Sequence, residues 1–66
     1  MKGKVVDTIM LPVRESRKSN GHVVVILQEN AEVDIDPLFV DPDWYKVETM
    51  THCQGWVPRN FIALKE

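Results

Sequence analysis

The sequence has a single cysteine, Cys53, so no disulfide can close within the chain, and nothing in it points to an oxidising compartment. Its three glycines, at positions 3, 21 and 55, are too scattered to form a phosphate-cradling loop. Long hydrophobic runs are also missing. The longest is Val23-Val24-Val25-Ile26-Leu27, the length of a strand, whereas a membrane-spanning helix needs about 20 such residues. No apolar leader core follows the basic Met1-Lys2-Gly3-Lys4, because Asp7 and Thr8 interrupt it. A cytoplasmic location with no membrane contact is therefore the expectation. No stretch sustains a helical period.

What is present suits one small domain spanning residues 1–66. At 44% hydrophobic residues the chain is too apolar to be disordered. A chain this short buries only about 60% of the surface its unfolded form exposes, so its core must be efficient. The net charge of −2 argues against general affinity for nucleic acid. That charge is unevenly spread. Residues 1–22 carry Lys2, Lys4, Arg14, Arg17 and Lys18 against Asp7 and Glu15, a net +3, whereas residues 23–66 carry three basic residues against eight acids, a net −5.

Apolar residues come in short runs separated by turn formers, the pattern of a small all-β barrel. The first strand is expected from Val5 to about Thr8, with Met10-Leu11-Pro12-Val13 as a second extended piece. Pro12 donates no backbone hydrogen bond and so belongs on an edge or at a bulge. "ESRKSNG" reads as a polar loop, Val23–Leu27 as a β-branched strand, and "QEN" as a tight turn with Asn30 left-handed. Val33-Asp34-Ile35-Asp36 alternates with its acids outward. Leu38-Phe39-Val40 is an apolar clump with no assigned place. Trp44–Met50 alternates again, and "THCQ" turns it into Gly55-Trp56-Val57. Pro58 cannot continue a ladder, so Arg59-Asn60-Phe61 should make one tight helical turn before Ile62-Ala63-Leu64. The expected core is Val33, Ile35, Tyr45, Val47, Val57 and Ile62. Trp44 then points away from it, and Trp56 lies partly covered on the flank.

"LPVR" (11–14), "HVVVIL" (22–27), "WYKV" (44–47) and "GWVPRNFI" (55–62), in this order, resemble a bacterial Src-homology-3 (SH3-like) domain across nearly the whole chain. The resemblance implies a five-stranded, partly open antiparallel barrel of the SH3 type, with a short 3-10 turn before the last strand. Two positions depart from the family pattern: Pro12 stands for the usual asparagine, and Asn30-Ala31 for a glycine turn.

Little here resembles catalytic chemistry, and no enzyme is expected. His52-Cys53 are adjacent, so on a strand or turn they point apart, unlike a nucleophile and its base. A zinc site needs three or four ligands, and His22 is the only other His or Cys candidate. The acids of residues 29–43 lack the regular spacing of calcium loops and read as a solvated strand face. No metal or cofactor is expected. Arg14, Arg17, Lys18 and His22 cluster on the polar loop; such loops are commonly charged for solubility, and the acidic remainder of the chain argues against nucleic acid as a partner.

The aromatics carry the functional expectation. The C-terminal part is also similar to eukaryotic SH3 domains, whose groove for proline-rich peptides implies roles here for Trp44, Pro58, Asn60 and Phe61. The tyrosine-bearing N-terminal half of that groove has no counterpart in "VVDTIMLPVR". Asp41 and Asp43 would rim the site and favour a ligand with lysine or arginine. The leading expectation is thus a non-catalytic module that binds a protein or extended peptide, proline-rich or basic. The alternatives are recognition of cell-wall peptidoglycan, as the bacterial family implies, and a small structural subunit that buries Leu38-Phe39-Val40 against other copies. Those same aromatics and Pro58 equally suit plain packing at the barrel's open end.

Overall fold

The alternation of the sequence is realised as seven short strands and one turn of 3-10 helix, in a computed structural model that describes residues 1–39 and 41–65. The strands are β1 (Lys2–Val5), β2 (Met10–Arg14), β3 (Val23–Gln28), β4 (Glu32–Ile35), β5 (Trp44–Thr49), β6 (Gln54–Pro58) and β7 (Ile62–Lys65). All pair antiparallel in one sheet ordered β3-β2-β6-β5-β4-β1-β7. The fold is all-β. Among the described residues no ladder joins β3 to β7, so the sheet does not close. It holds seven strands rather than five: the β2–β3 hairpin joins β6 at Arg14–Trp56, and β1 lies between β4 and β7.

The first strand lies earlier than the apolar pattern suggests. It is Lys2–Val5, with Gly3 and Val5 buried between exposed or half-exposed lysines. Asp7, at φ 61°, turns the chain before Thr8 can extend it. Asn30 adopts φ 69° and Arg59–Phe61 forms the tight turn, both where local sterics require them. Pro12 sits one residue before the register shift at Val13/Arg14, and β6 pairs with β2 only at Arg14–Trp56. Its missing N–H therefore leaves no ladder broken.

The core consists of Val5, Leu11, Val13, Leu27, Val33, Ile35, Val47, Val57 and Ile62. Each such side chain contributes about 1.5–3 kcal/mol on burial. Tyr45, expected inside, is only half-buried: its ring packs against the core while its hydroxyl meets Arg59 at 3.2 Å. Thr49 takes the next inward position in β5, where its Oγ1 accepts the Cys53 N–H at 3.1 Å. Gly55 is the close-approach glycine. A Cβ there would lie 2.6 Å from the Arg14 carbonyl and 2.6 Å from Val13 Cγ1, so only glycine lets β2 run against β6.

On the far side of the sheet Lys2 pairs with Asp34 at 2.8 Å and Lys65 with Glu32 at 3.0 Å. These exposed pairs contribute little to stability. Among the described residues, no helix is long and apolar enough to cross a membrane.

Candidate functional site

The β5–β6 hairpin turns at Met50–Cys53 and presents two faces. Because side chains alternate, Val47, Thr49 and Val57 point into the core, so Trp44, Lys46 and Trp56 occupy the outer face. Register sets Trp44 opposite Pro58, and Lys46 opposite Trp56.

Two loops border this face, and Asp41 ties them together. Its Oδ1 accepts the backbone N–H groups of Asp43 (2.9 Å) and Trp44 (3.2 Å), which closes the turn that starts β5. Its Oδ2 pairs with Arg17 of the 15–21 loop at 2.8 Å, and its carbonyl accepts Arg59 Nη1 at 3.0 Å. The Asp43 amide bonded to the carboxylate, with Arg17 beside it, holds Asp41 below the usual carboxylate range. Arg59 also lies 4.5 Å over the Tyr45 ring. Asp41 thus positions the site; its oxygens are already engaged. Asp43 and Glu15 have no ion partner among the described residues.

The result is a shallow depression of about 550 Å³ lined by Trp44, Trp56, Pro42, Asp43, Glu15 and the start of the 15–21 loop. Trp56 is its most elaborated ring. Arg17 lies 5.0 Å over it, Lys46 Nζ 5.3 Å over it, and Phe39 meets it edge-on at 5.9 Å and 86°. Such contacts hold the indole in one orientation while leaving it half-exposed. A second, smaller hollow of about 210 Å³ lies between Met1, Pro37, Phe39, Tyr45, Arg59 and Leu64, and Asp41 lines both.

The six residues that the sequence singles out fall in different places. Trp44, Asp41 and Asp43 share the depression, and Pro58 faces Trp44 across the ladder. Phe61 instead packs against the core, and its carbonyl accepts the Val6 N–H at 2.9 Å. Asn60 is exposed in the 3-10 turn and lines no part of the depression. Trp56 and Phe39 are not among the six. Alternation sets Trp56 on the same face as Trp44, which is the available signal. Nothing local signals Phe39, and Val40, the last residue of that clump, lies outside the described residues.

Two cations of the basic loop are occupied: Arg17 by Asp41 and Trp56, and Arg14 by the Gly21 carbonyl at 2.7 Å. His52 Nδ1 meets Glu48 at 3.0 Å, away from Cys53, whose thiol faces the Thr51 hydroxyl at 3.7 Å. Among the described residues, no group of three His, Cys, Asp or Glu side chains could hold a metal ion. No protein-family model matches the chain, and no curated protein matches it.

Proposed function

We propose that this chain is a non-catalytic interaction module of the SH3-like barrel type that binds an extended segment of a partner protein, carrying proline and a basic residue. The observation that carries this reading is the meeting of Trp44, Trp56 and Pro42 in one shallow depression beside the carboxylates of Asp43 and Glu15, which have no ion partner among the described residues. Flat, half-exposed indoles receive prolines by stacking without a conformational change. Free carboxylates at the rim favour a lysine or arginine in the same ligand. Two features support the barrel type: the β4-β5-β6 meander, and the 3-10 turn that returns the chain to β1 through β7. In this reading Trp56, not Phe61, supplies the second ring of the groove.

The test is a titration of the chain with proline-rich peptides that differ only in carrying lysine or an acid, followed through tryptophan emission and the indole N–H resonances. Saturable shifts of Trp44 and Trp56, stronger for the basic peptide, are expected. Binding to isolated peptidoglycan with no response to either peptide would overturn the reading in favour of wall recognition.

A further inference from the structure

The free edge of β3 carries a second, independent surface. Glu29 donates its N–H to the carbonyl of Ile9 at 3.0 Å, and continuing the Met10–Gln28 register puts these two residues directly opposite. In an antiparallel ladder, bonded and non-bonded pairs alternate. Leu11–Leu27 and Val13–Val25 are therefore the bonded pairs, and Met10–Gln28 and Pro12–Ile26 the non-bonded ones. It follows that the N–H and C=O of Ile26 and the N–H of Gln28 point away from β2. Among the described residues no strand lies beyond them. The Gln28 carbonyl is taken by the Ala31 N–H at 3.1 Å.

The side chains along this edge are unguarded. Sheet edges are commonly protected by charge, and β7 at the other end carries Lys65. Val23–Gln28 contains no charged residue. Ile26 is 54% exposed, and Val24, Met10 and Ile9 are exposed around it. The inserted residue at the register shift is Val24, which limits regular pairing to the stretch from there to Gln28.

We propose that β3 pairs with β3 of a second copy of this chain, antiparallel, about a two-fold axis at Ile26. Three observations select that occupant. A neutral strand meets its own copy without like-charge repulsion. The two-fold places Ile26 opposite Ile26, so their free N–H and C=O groups satisfy each other, with Gln28 facing Val24. It also sets the basic 15–22 loop of each copy beside Glu29 of the other, and Glu29 has no ion partner among the described residues. A parallel arrangement would oppose like ends instead.

The contact is short, so association depends on concentration. Sedimentation of the whole chain from micromolar to millimolar concentration should show the apparent mass rising toward a doubling. Over the same range, amide exchange at Ile26 and Gln28 should slow, while Val25 and Leu27, bonded to β2, stay unchanged. Ile26→Lys should remain monomeric throughout with the parent's melting temperature, because its side chain lies outside the core. Leu38→Lys, on the other apolar clump, should dimerise like the parent. A parent that stays monomeric at every concentration overturns the proposal. So does a dimer that survives Ile26→Lys, or one in which the Ile26 and Gln28 amides gain no protection.

Discussion

On the inner face of the β5–β6 hairpin, Val47 and Val57 are excluded from solvent, and Gly55 lets β2 press on β6. One residue along either strand, on the outer face, Trp44, Lys46 and Trp56 stay half-exposed, with Lys46 over the Trp56 ring and the 15–21 loop beside them. The two faces use the same backbone and the same ladder. Side-chain size runs against intuition: the smaller residues are buried, and the largest rings are left outside. An inner face filled with valines and a glycine suits a thin, closely approached sheet. An outer face with two half-exposed indoles, one of them (Trp56) held by Arg17 and Lys46, suits recognition, since rigid rings lose little entropy on contact.

Substitutions on the two faces should therefore separate folding from binding. The largest effect is expected at Gly55→Val. Its branched side chain would collide with the Arg14 carbonyl, which cannot move without breaking the β2–β6 contact. A loss of about 3 kcal/mol or more is expected, enough to unfold a domain of this size. Circular dichroism of the purified variant measures it, and a native spectrum with native melting would dissolve the contrast at its inner side.

Ile35→Ala, in the neighbouring strand of the same core, should cost about 2–4 kcal/mol in denaturant unfolding. The fraction that remains folded should bind peptide as the parent does. If instead it melts within a degree or two of the parent, the inward face of β4 is not what holds the sheet.

Trp44→Ala should do the reverse. Its stability is expected within about 1 kcal/mol of the parent. Its peptide affinity should fall by about 2 kcal/mol or more, roughly thirtyfold, as for a central aromatic at an interface. Parallel melting and titration of this one protein sharpen the comparison most, because each readout should move where the other does not.

Acid provides a smaller, graded probe of the loops that border the outer face. Asp41 has a folded pKa below its unfolded one, so its contribution is fully present above the ordinary carboxylate range near pH 4 and is lost as pH falls through the folded value. Asp41→Asn should lower the melting temperature at neutral pH and flatten the acid-side fall. Asp34 and Glu32, lowered by their lysine partners, add to that fall on the opposite side of the sheet. Identical acid profiles for parent and variant would show that Asp41 does not pin the loops. The smallest effect is expected at Cys53→Ser, which should leave melting, chelator response and binding unchanged.

Much of the inner face is legible in the amino-acid sequence. Period-two alternation alone places Val33, Ile35, Val47, Val57 and Ile62 inward, and all are buried. Tyr45 shares that alternation but stops half-buried, because Arg59 holds its hydroxyl at the surface. Val5, Leu11, Val13 and Leu27 complete the core beyond that set, and the early β1 that carries Val5 is defined by partners far along the chain, β4 and β7. The outer site is legible only in part. The sequence assigns Trp44, Asp43 and Phe61 to one expected groove; in the fold Trp44 and Asp43 line a shared depression, whereas Phe61 packs against the core.

What the sequence determined by itself are features decided within a few bonds. The left-handed turn at Asn30, the tight turn after Pro58 and the inward parity of β4, β5 and β6 follow from local sterics and the two-residue period of a strand. Tertiary structure alone decided which groups meet across the sheet. Arg17 reaches Asp41 and Trp56 from far away in sequence, and Phe39 closes on Trp56 from another loop. Strand order also left one edge of β3 unpaired among the described residues. Those outcomes depend on ladder pairings between distant segments, and no local preference encodes which strand will lie beside which.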